Sequence, residues 1–334
     1  MIDFVGKRPL FYLLSLLFIL PGVISLALPD GLRRGIEFSS GTNFAVSFQE
    51  PVSQVELRDA LVELGHPEAR IQQTTAGRLL VRTDLIEGSG EAPAFGPAAP
   101  SEREDLEAAL EQRFGPIVDS DGNPTGRFLE FSSVSPSVSS DITQNAAFAV
   151  VAAAVAILIY VTISFISVPS PFRYGAAAII ALVHDVIIVL GVMSILGRVF
   201  DFEVDTLFIT AMLTIVGFSV HDTIVVFDRI RENIRRAENA GYEPPLSDAV
   251  NASLNQTLAR SLNTSLTAIL VLLALILLGG DTIRDFVTVM AIGIVVGTYS
   301  SVFVAAQLLV SWDEGDFSLD RIRGTTESPL NVSD

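Results

Sequence analysis

The chain has 334 residues, half of them hydrophobic, and a mean hydropathy of +0.51. A soluble protein must cover its surface with polar groups, so this composition predicts a membrane protein. A net charge of −17 with Lys7 as the single lysine excludes nucleic acid as a partner, because phosphate binding needs a basic surface. The absence of cysteine removes disulfides, and the three histidines lack metal-ligand spacing, so no metal site is predicted.

Six apolar runs are long enough to cross a hydrocarbon core of about 30 Å, which takes roughly 20 helical residues. The first resembles a signal peptide because Lys7 and Arg8 precede it, but it is long and lacks a small-x-small cleavage site. We therefore expect it to remain as a transmembrane helix. The six predicted spans are residues 9–28, 144–168, 174–197, 206–227, 262–280 and 286–311.

The basic residues of the short loops predict the orientation, because cytoplasmic loops carry an excess of Lys and Arg. Alternate segments carry them: Lys7, Arg8, Arg173, Arg229, Arg231, Arg235, Arg236, Arg260, Arg321 and Arg323. Both termini are thus predicted to be cytoplasmic, in a bacterial inner membrane. The expected parts are residues 1–29 (N-terminus and first helix), 30–141 (extracytoplasmic domain), 142–312 (helices two to six) and 313–334 (cytoplasmic tail).

Residues 30–141 carry 19 Asp or Glu against 9 Arg and are long enough to fold as a domain. Period-two and helical patterns predict strands at 42–49, 69–75, 78–84 and 127–134, and helices at 53–64 and 101–114. Ser53 and Ser101 are expected to cap the two helices, Ser53 in a capping box with Glu56. The order βαββαβ is typical of an α+β ferredoxin-like domain. We expect a flexible loop between Glu87 and Pro100.

Two carboxylates lie inside predicted spans, where an unpaired charge costs several kcal/mol, so each is a functional candidate. Asp185 lies midway between Arg173 and Arg198, and Asp222 lies six residues before Asp228. Either carboxylate can instead make a structural hydrogen bond to a neighbouring helix.

Polar residues near Asp222 favour a functional reading. Thr210, Thr214, Gly217 and His221 follow a 4-3-4 spacing that places them on one face of the fourth span. A second polar stripe on the fifth span consists of Arg260, Asn263, Thr264 and Thr267. Arg260 is expected to reach Asp222 and to form with it a tunable proton site. On the sixth span, Gly293 and Gly297 form a GxxxG motif that indicates close helix contact.

Four motifs resemble the SecF family, the smaller half of the SecDF protein-export factor in the RND superfamily. They are GIEFSSGT (35–42), HDVIIVLG (184–191), LTIVGFSVHDTIVVFDRIREN (213–233) and LARSLNTSLT (258–267). His221 stands where the family usually has Asn. The first motif departs from the more usual GIDFTGGT at Glu37, Ser39 and Ser40.

This resemblance implies an RND-type half of six transmembrane helices that pairs with SecD and docks on SecYEG, with YajC as a further candidate partner. It implies that proton flow, without ATP, drives the late outward movement of an unfolded polypeptide. The roles in proton transport carry over to Asp222 and Arg260. Apart from the resemblance, further candidates for the proton path, or else structural polar residues, are Asp185, His221, Thr214, Asn263 and Thr264. No Walker A motif is present, and we expect neither an enzyme nor a cofactor beyond the coupling ion H⁺.

Two other readings remain open. One is an RND-type proton-driven exporter half for lipids or small molecules. The other is an intramembrane aspartyl protease using Asp185 and Asp222, although the sequence VHDT around the second aspartate lacks the GxGD-like motif of that class.

Overall fold

The structure is a computed structural model that describes residues 2–29, 31–74, 77–86, 101–168, 170–200 and 202–316. Two compact units make up the chain: Met1–Arg33 with Ala149–Glu203 and Leu207–Asp334, and Arg34–Phe148 with Val204–Thr206. The first unit is helical, and the second contains the sheet. Predictions for residues 87–100 and for the tail beyond residue 316 lie outside the described residues.

Six spans in the described chain are long and apolar enough to cross a membrane, which makes the protein a multi-pass membrane helical bundle. Five are single helices: α1 (Arg8–Ala27), α5 (Pro136–Ser164), α6 (Pro171–Phe200), α7 (Thr206–Asn239) and α8 (Leu246–Leu278). The sixth consists of α9 (Asp281–Ser300), a π-helix (Ser301–Ala305) and α10 (Ala306–Asp313).

Three of these helices extend eight or more residues beyond one end of the apolar runs that predicted them. Helix α5 begins at residue 136 rather than 144, α7 continues to residue 239 rather than 227, and α8 begins at residue 246 rather than 262. At 1.5 Å per residue, the 34 residues of α7 span about 50 Å, which exceeds the thickness of the hydrocarbon core. Hydropathy detects only the part that matches the apolar core, so it misses the polar extensions.

Helix α1 packs closely against α6. A Cβ atom built on Gly22 would lie 2.7 Å from the Cα atom of Gly191, so neither position has room for a side chain. One turn further along, the hydroxyls of Ser25 and Ser194 are 2.7 Å apart, and Arg198 donates to the Ser25 carbonyl at 3.0 Å. These contacts fix the first span against the third.

The second unit contains a four-stranded antiparallel sheet in the order β2-β3-β1-β4. Its strands are β1 (Gly41–Val46), β2 (Arg70–Gln73), β3 (Leu79–Thr83) and β4 (Glu130–Val134), and its helices are α2 (Ile36–Ser39), α3 (Gln54–Glu63) and α4 (Glu102–Phe114). Apart from the short α2, which the sequence did not predict, these elements lie within a few residues of the predicted positions.

The core of this unit lies between the sheet and helices α3 and α4. Phe44 on β1 pairs in register with Val81 on β3, and both are buried with Leu57 of α3 and Leu110 of α4. Alternation along the strands places these side chains on one face of the sheet.

Both long helices of the sheet-containing unit begin with the predicted caps. Ser53 and Glu56 form a capping box at α3, and Ser101 and Glu104 form one at α4. Each box satisfies two of the backbone N–H groups that a helix start leaves without an intrahelical partner.

Candidate functional site

Asp222 lies on α7 within the helical unit, and its side chain is buried, with 7% of the residue exposed. Ser261 Oγ on α8 donates to Asp222 Oδ1 at 2.7 Å, and Ser301 Oγ at the start of the π-helix donates to Asp222 Oδ2 at 2.5 Å. The carboxylate therefore joins three spans, and among the described residues its side-chain donors are neutral hydroxyls.

Asp185 on α6 is more deeply buried, with 2% of the residue exposed. The Nδ1 atom of the preceding residue, His184, is 2.9 Å from Asp185 Oδ1. Ser219 Oγ on α7 and Ser300 Oγ on α9 donate to Asp185 Oδ2 at 2.6 Å and 2.7 Å. This second carboxylate also joins three spans.

The two carboxylate sites share their supporting elements. Ser219, which binds Asp185, precedes Asp222 by three residues on α7, so both lie on one side of that helix. Ser300 and Ser301, adjacent in the chain, bind one carboxylate each. Asp185 and Asp222 thus belong to one buried polar cluster, formed by His184, Asp185, Ser219, Asp222, Ser261, Ser300 and Ser301.

The GxxxG motif brings α9 close enough to α7 for this cluster to form. A Cβ atom on Gly293 would collide with the side chain of Ile215, and one on Gly297 would lie 3.0 Å from the Cβ atom of Ser219. Close helix contact is therefore the role that this geometry gives to the two glycines.

The predicted polar stripes face away from the cluster. Thr210, Thr214, Gly217 and His221 on α7 are exposed, and so are Arg260, Asn263, Thr264 and Thr267 on α8. No hydrogen bond or ion pair joins Arg260 to Asp222 within the described chain, which differs from the expected contact. The reason is the helical period: Arg260 precedes Ser261 by one position, or about 100°, and Ser261 is the residue that points to Asp222.

Sequence reasoning missed the serines that hold the carboxylates. On α8 the buried hydroxyls of Ser253, Thr257, Ser261 and Ser265 repeat every four residues, a signal that was available in the sequence. Ser300 and Ser301 gave no such signal, because the π-helix changes the period at that point.

The surroundings of Asp222 are compatible with proton binding, because its side-chain donors among the described residues are the hydroxyls of Ser261 and Ser301. A buried carboxylate surrounded by neutral hydroxyls can take up a proton without losing an ion-pair partner, and the same hydroxyls can then accept its O–H. Among the described residues, no group of three or more His, Cys, Asp or Glu side chains could hold a metal ion.

Comparisons with known proteins agree with this architecture. Residues 120–315 match the family model described as protein export membrane protein SecD/SecF, C-terminal. The chain is 46% identical over 318 residues to the protein translocase subunit SecF of Thermobaculum terrenum, which covers 95% of this chain and 96% of that protein. It is 38% identical over 320 residues to the SecF subunit of Anaerolinea thermophila, covering 95% of this chain and 96% of that protein.

The same likeness extends to a solved structure. The crystal structure of SecDF, a translocon-associated membrane protein from Thermus thermophilus, superimposes with a TM-score of 0.75 at 34% identity. The alignment covers 94% of this chain and 39% of the SecDF chain, so the chain spans well under half of that protein. By the extent and identity of these matches, the chain belongs to the SecD/SecF family of protein export membrane proteins, as its SecF-type member.

Proposed function

We propose that the chain is the SecF-type subunit of a SecDF-type complex and uses the proton motive force to promote the late, ATP-independent stage of protein export through SecYEG. The observation that carries the export role is the identity of 46% over 95% of the chain to a protein translocase subunit. The family is one of translocase subunits, which agrees with the expectation that the chain is not an enzyme. It also disfavours the lipid exporter and the aspartyl protease.

The buried carboxylate Asp222 supports the proton-coupled part of the proposal. It lies within a membrane-spanning helix, and its side-chain contacts are the hydroxyls of Ser261 and Ser301. One charge crossing 100 mV is worth about 2.3 kcal/mol, enough to bias a two-state equilibrium nearly fiftyfold. A proton that binds Asp222 from one side and leaves to the other would therefore supply useful work, and H⁺ as the coupling ion requires no cofactor.

The exposed polar stripes support SecD as the partner. Thr210, Thr214 and His221 on α7, with Arg260 and Asn263 on α8, would meet lipid if the subunit were alone. Polar residues of membrane helices usually face protein or water, so these stripes favour a second protein. In this arrangement Arg260 acts on the proton site through the partner interface rather than by direct contact with Asp222. SecYEG and YajC are further partners in the proposal.

For the sheet-containing unit we propose a ferredoxin-like domain on the extracytoplasmic side of a bacterial inner membrane, with both chain termini cytoplasmic. Support comes from the order β2-β3-β1-β4, in which the two strand–helix–strand segments interleave, and from the distribution of Lys and Arg in the loops.

The test is translocation of a secretory protein in inverted membrane vesicles that contain the subunit and its SecD partner. We expect Asp222→Asn to abolish the stimulation by the proton motive force while the complex still assembles. Asp228→Asn is the matched control, because Asp228 lies on the same helix but is exposed and paired with Arg231. Normal stimulation in the Asp222 variant would refute the proton-site assignment, and no stimulation by the wild-type complex would refute the export role.

A further inference from the structure

Ser300 and Ser301 each have two hydrogen-bond acceptors within reach of a single hydroxyl. Ser300 Oγ is 2.7 Å from Asp185 Oδ2 and 3.1 Å from the carbonyl oxygen of Gly297. Ser301 Oγ is 2.5 Å from Asp222 Oδ2 and 3.1 Å from the carbonyl oxygen of Thr298. A hydroxyl has one proton to donate, so the carboxylate and the backbone carbonyl compete for it at each serine.

The protonation state of the carboxyl group decides which acceptor the serine serves. A charged carboxylate is the stronger acceptor and takes the serine proton. A protonated carboxyl can donate its own O–H to the serine oxygen, and the serine hydroxyl then donates to the backbone carbonyl in the preceding turn. The incoming proton forms an O–H bond on the carboxyl and leaves from the same oxygen, so no proton passes through the serine.

The two serines occupy a point where the helix changes its hydrogen-bond pattern. Ser300 ends α9, and Ser301 begins the π-helix, in which the backbone bonds run to the fifth residue instead of the fourth. Such π segments occur frequently at functional sites. Because one peptide unit links the serines, a backbone displacement at one of them is transmitted directly to the other.

We propose that Ser300 and Ser301 are positioning residues that couple the protonation of Asp185 to that of Asp222, and that His184 and Asp185 form a second proton-holding site in this subunit. The inference rests on the proposed function only in that Asp222 is taken to bind the transported proton. His184 adds to the case because its Nε2 atom is buried and has no hydrogen-bond partner among the described residues, so it offers a further position for a proton.

Other titratable groups lie on the helices packed around the two carboxylates. The ring of Tyr299 stacks on His184 with centroids 6.2 Å apart, and its hydroxyl donates to the carbonyl of Phe11. His221 and Arg260 are exposed on the faces of α7 and α8 that point away from the serines. On α1, Tyr12 is hydrogen-bonded to Ser311, at 3.0 Å. In the part of the chain that the structure describes, the side-chain hydrogen bonds that link Asp185 to the surroundings of Asp222 therefore involve serines.

The experiment follows the carboxyl C=O stretch of Asp222 by infrared spectroscopy as a function of pH, in proteoliposomes that contain the complete complex. Asp222→Asn and Asp185→Asn identify the two bands. In a wild-type background we expect Asp185→Asn to move the pH midpoint of Asp222 protonation by more than about one unit. In a protein that also carries Ser301→Ala or Ser300→Ala, the Asp185→Asn substitution should no longer change the pH midpoint of Asp222 by more than the measurement error.

Ser265→Ala is the matched control for these variants. Its hydroxyl is also buried between α8 and α9, but it contacts Thr298 Oγ1 and the Ser261 carbonyl instead of a carboxylate. In this background the displacement should persist. Ser301→Cys, which changes volume little and is a weak hydrogen-bond donor, replaces Ser301→Ala if the alanine variant does not assemble, and Ser301→Thr should restore the coupling.

Each outcome has a separate meaning. The coupling would be refuted if Asp185→Asn moved the pH midpoint of Asp222 equally with and without the serine hydroxyls. It would also be refuted if Asp185→Asn did not move the midpoint in the wild-type background. In both cases Asp222 would remain a proton site. An Asp222 band that never titrates would instead refute the proton site of the proposed function. The spectroscopic readout needs no export activity, so the two failures are distinguishable.

Discussion

Gly297 on α9 lies directly against Ser219 on α7, and a Cβ atom on the glycine would come within 3.0 Å of the serine Cβ. Ser219 is also a donor to Asp185, at 2.6 Å. Ser219 therefore takes part both in the packing of α9 against α7 and in a hydrogen bond to the buried Asp185. A side chain at residue 297 would therefore crowd Ser219, whose Oγ would lie 3.4 Å from the added Cβ atom.

The first prediction concerns this close approach. Gly297→Val should lower the free energy of unfolding of the subunit by about 1–3 kcal/mol, because the added atoms must displace Ser219 or separate α9 from α7. Thermal unfolding of the purified subunit in detergent measures the effect. Gly217→Val, on α7 where a Cβ atom would meet nothing within 4 Å, is the matched control, because it makes the same change of helix propensity without the clash and should not lose stability. Equal unfolding temperatures for Gly297→Val and the control would contradict the packing role.

The second prediction concerns the exposed polar face of α7. Gly217→Trp fills open space on that face, so the subunit alone should unfold at the wild-type temperature, but less SecD should co-purify with it. Val151→Trp, at an exposed position on α5, adds the same side chain elsewhere in the bundle and serves as the control. If both variants retain the partner equally, the face formed by α7 and α8 is not the SecD interface.

The third prediction concerns Ser40, which precedes β1. Its backbone has φ 59° and ψ 168°, a region that is essentially restricted to glycine and costs other residues about 1–3 kcal/mol. Ser40→Gly should stabilise the sheet-containing unit by about 1 kcal/mol, because relief of this strain exceeds the added entropy of the unfolded chain. Amide hydrogen exchange at β1 in the full-length protein measures the change. Faster exchange in the variant would contradict the prediction. It would show that losing the hydrogen bond from Ser40 Oγ to the Ser39 carbonyl costs more stability than relief of the backbone strain provides.

The fourth prediction is a pH dependence at the start of α3. The hydrogen bonds from the Ser53 hydroxyl and backbone N–H to Glu56 lower the pKa of that exposed carboxyl below its usual value. A lowered folded-state pKa stabilises the helix above the ordinary pKa of Glu, and this contribution disappears as the pH falls through the folded-state pKa. Amide protection of the first turn of α3 should therefore decrease in acid.

The matching variant for this pH dependence is Glu56→Gln. Glutamine keeps the side-chain length and can still accept the hydrogen bond, but it does not titrate in this range. Its first-turn protection should be lower than that of the wild type at neutral pH and should remain constant as the pH falls. A wild-type profile that is equally flat would contradict the contribution of the Glu56 charge.

Sequence patterns predicted much of this fold, because the signals were local. Apolar length located the six spans, and the capping residues Ser53 and Ser101 marked the helix starts within two residues. Hydropathy did not predict the polar extensions of α7 and α8, because it detects only the apolar part of a helix that lies in the membrane core. Asp185 and Asp222 are evident in the sequence, because a carboxylate inside a long apolar run is rare.

The contacts of the site were harder to predict, because they depend on how helices rotate about their axes. The polar stripe that begins at Arg260 predicts a contact with Asp222, yet the residue next to it, Ser261, makes the contact. A rotation of 100° separates these two choices, and composition alone does not decide between them. The π-helix after Ser300 has no simple sequence signature, so the adjacent hydroxyls that serve two carboxylates emerge only from the three-dimensional structure.

The outward-facing polar stripes also bear on how the cell makes this protein. A subunit synthesised in excess of its partner would present Asn263, Thr264 and Arg260 to lipid, where hydrogen-bonding groups and charges are costly. The polar face of α8 therefore gives the subunit a physical reason to be made in amounts that match its partner.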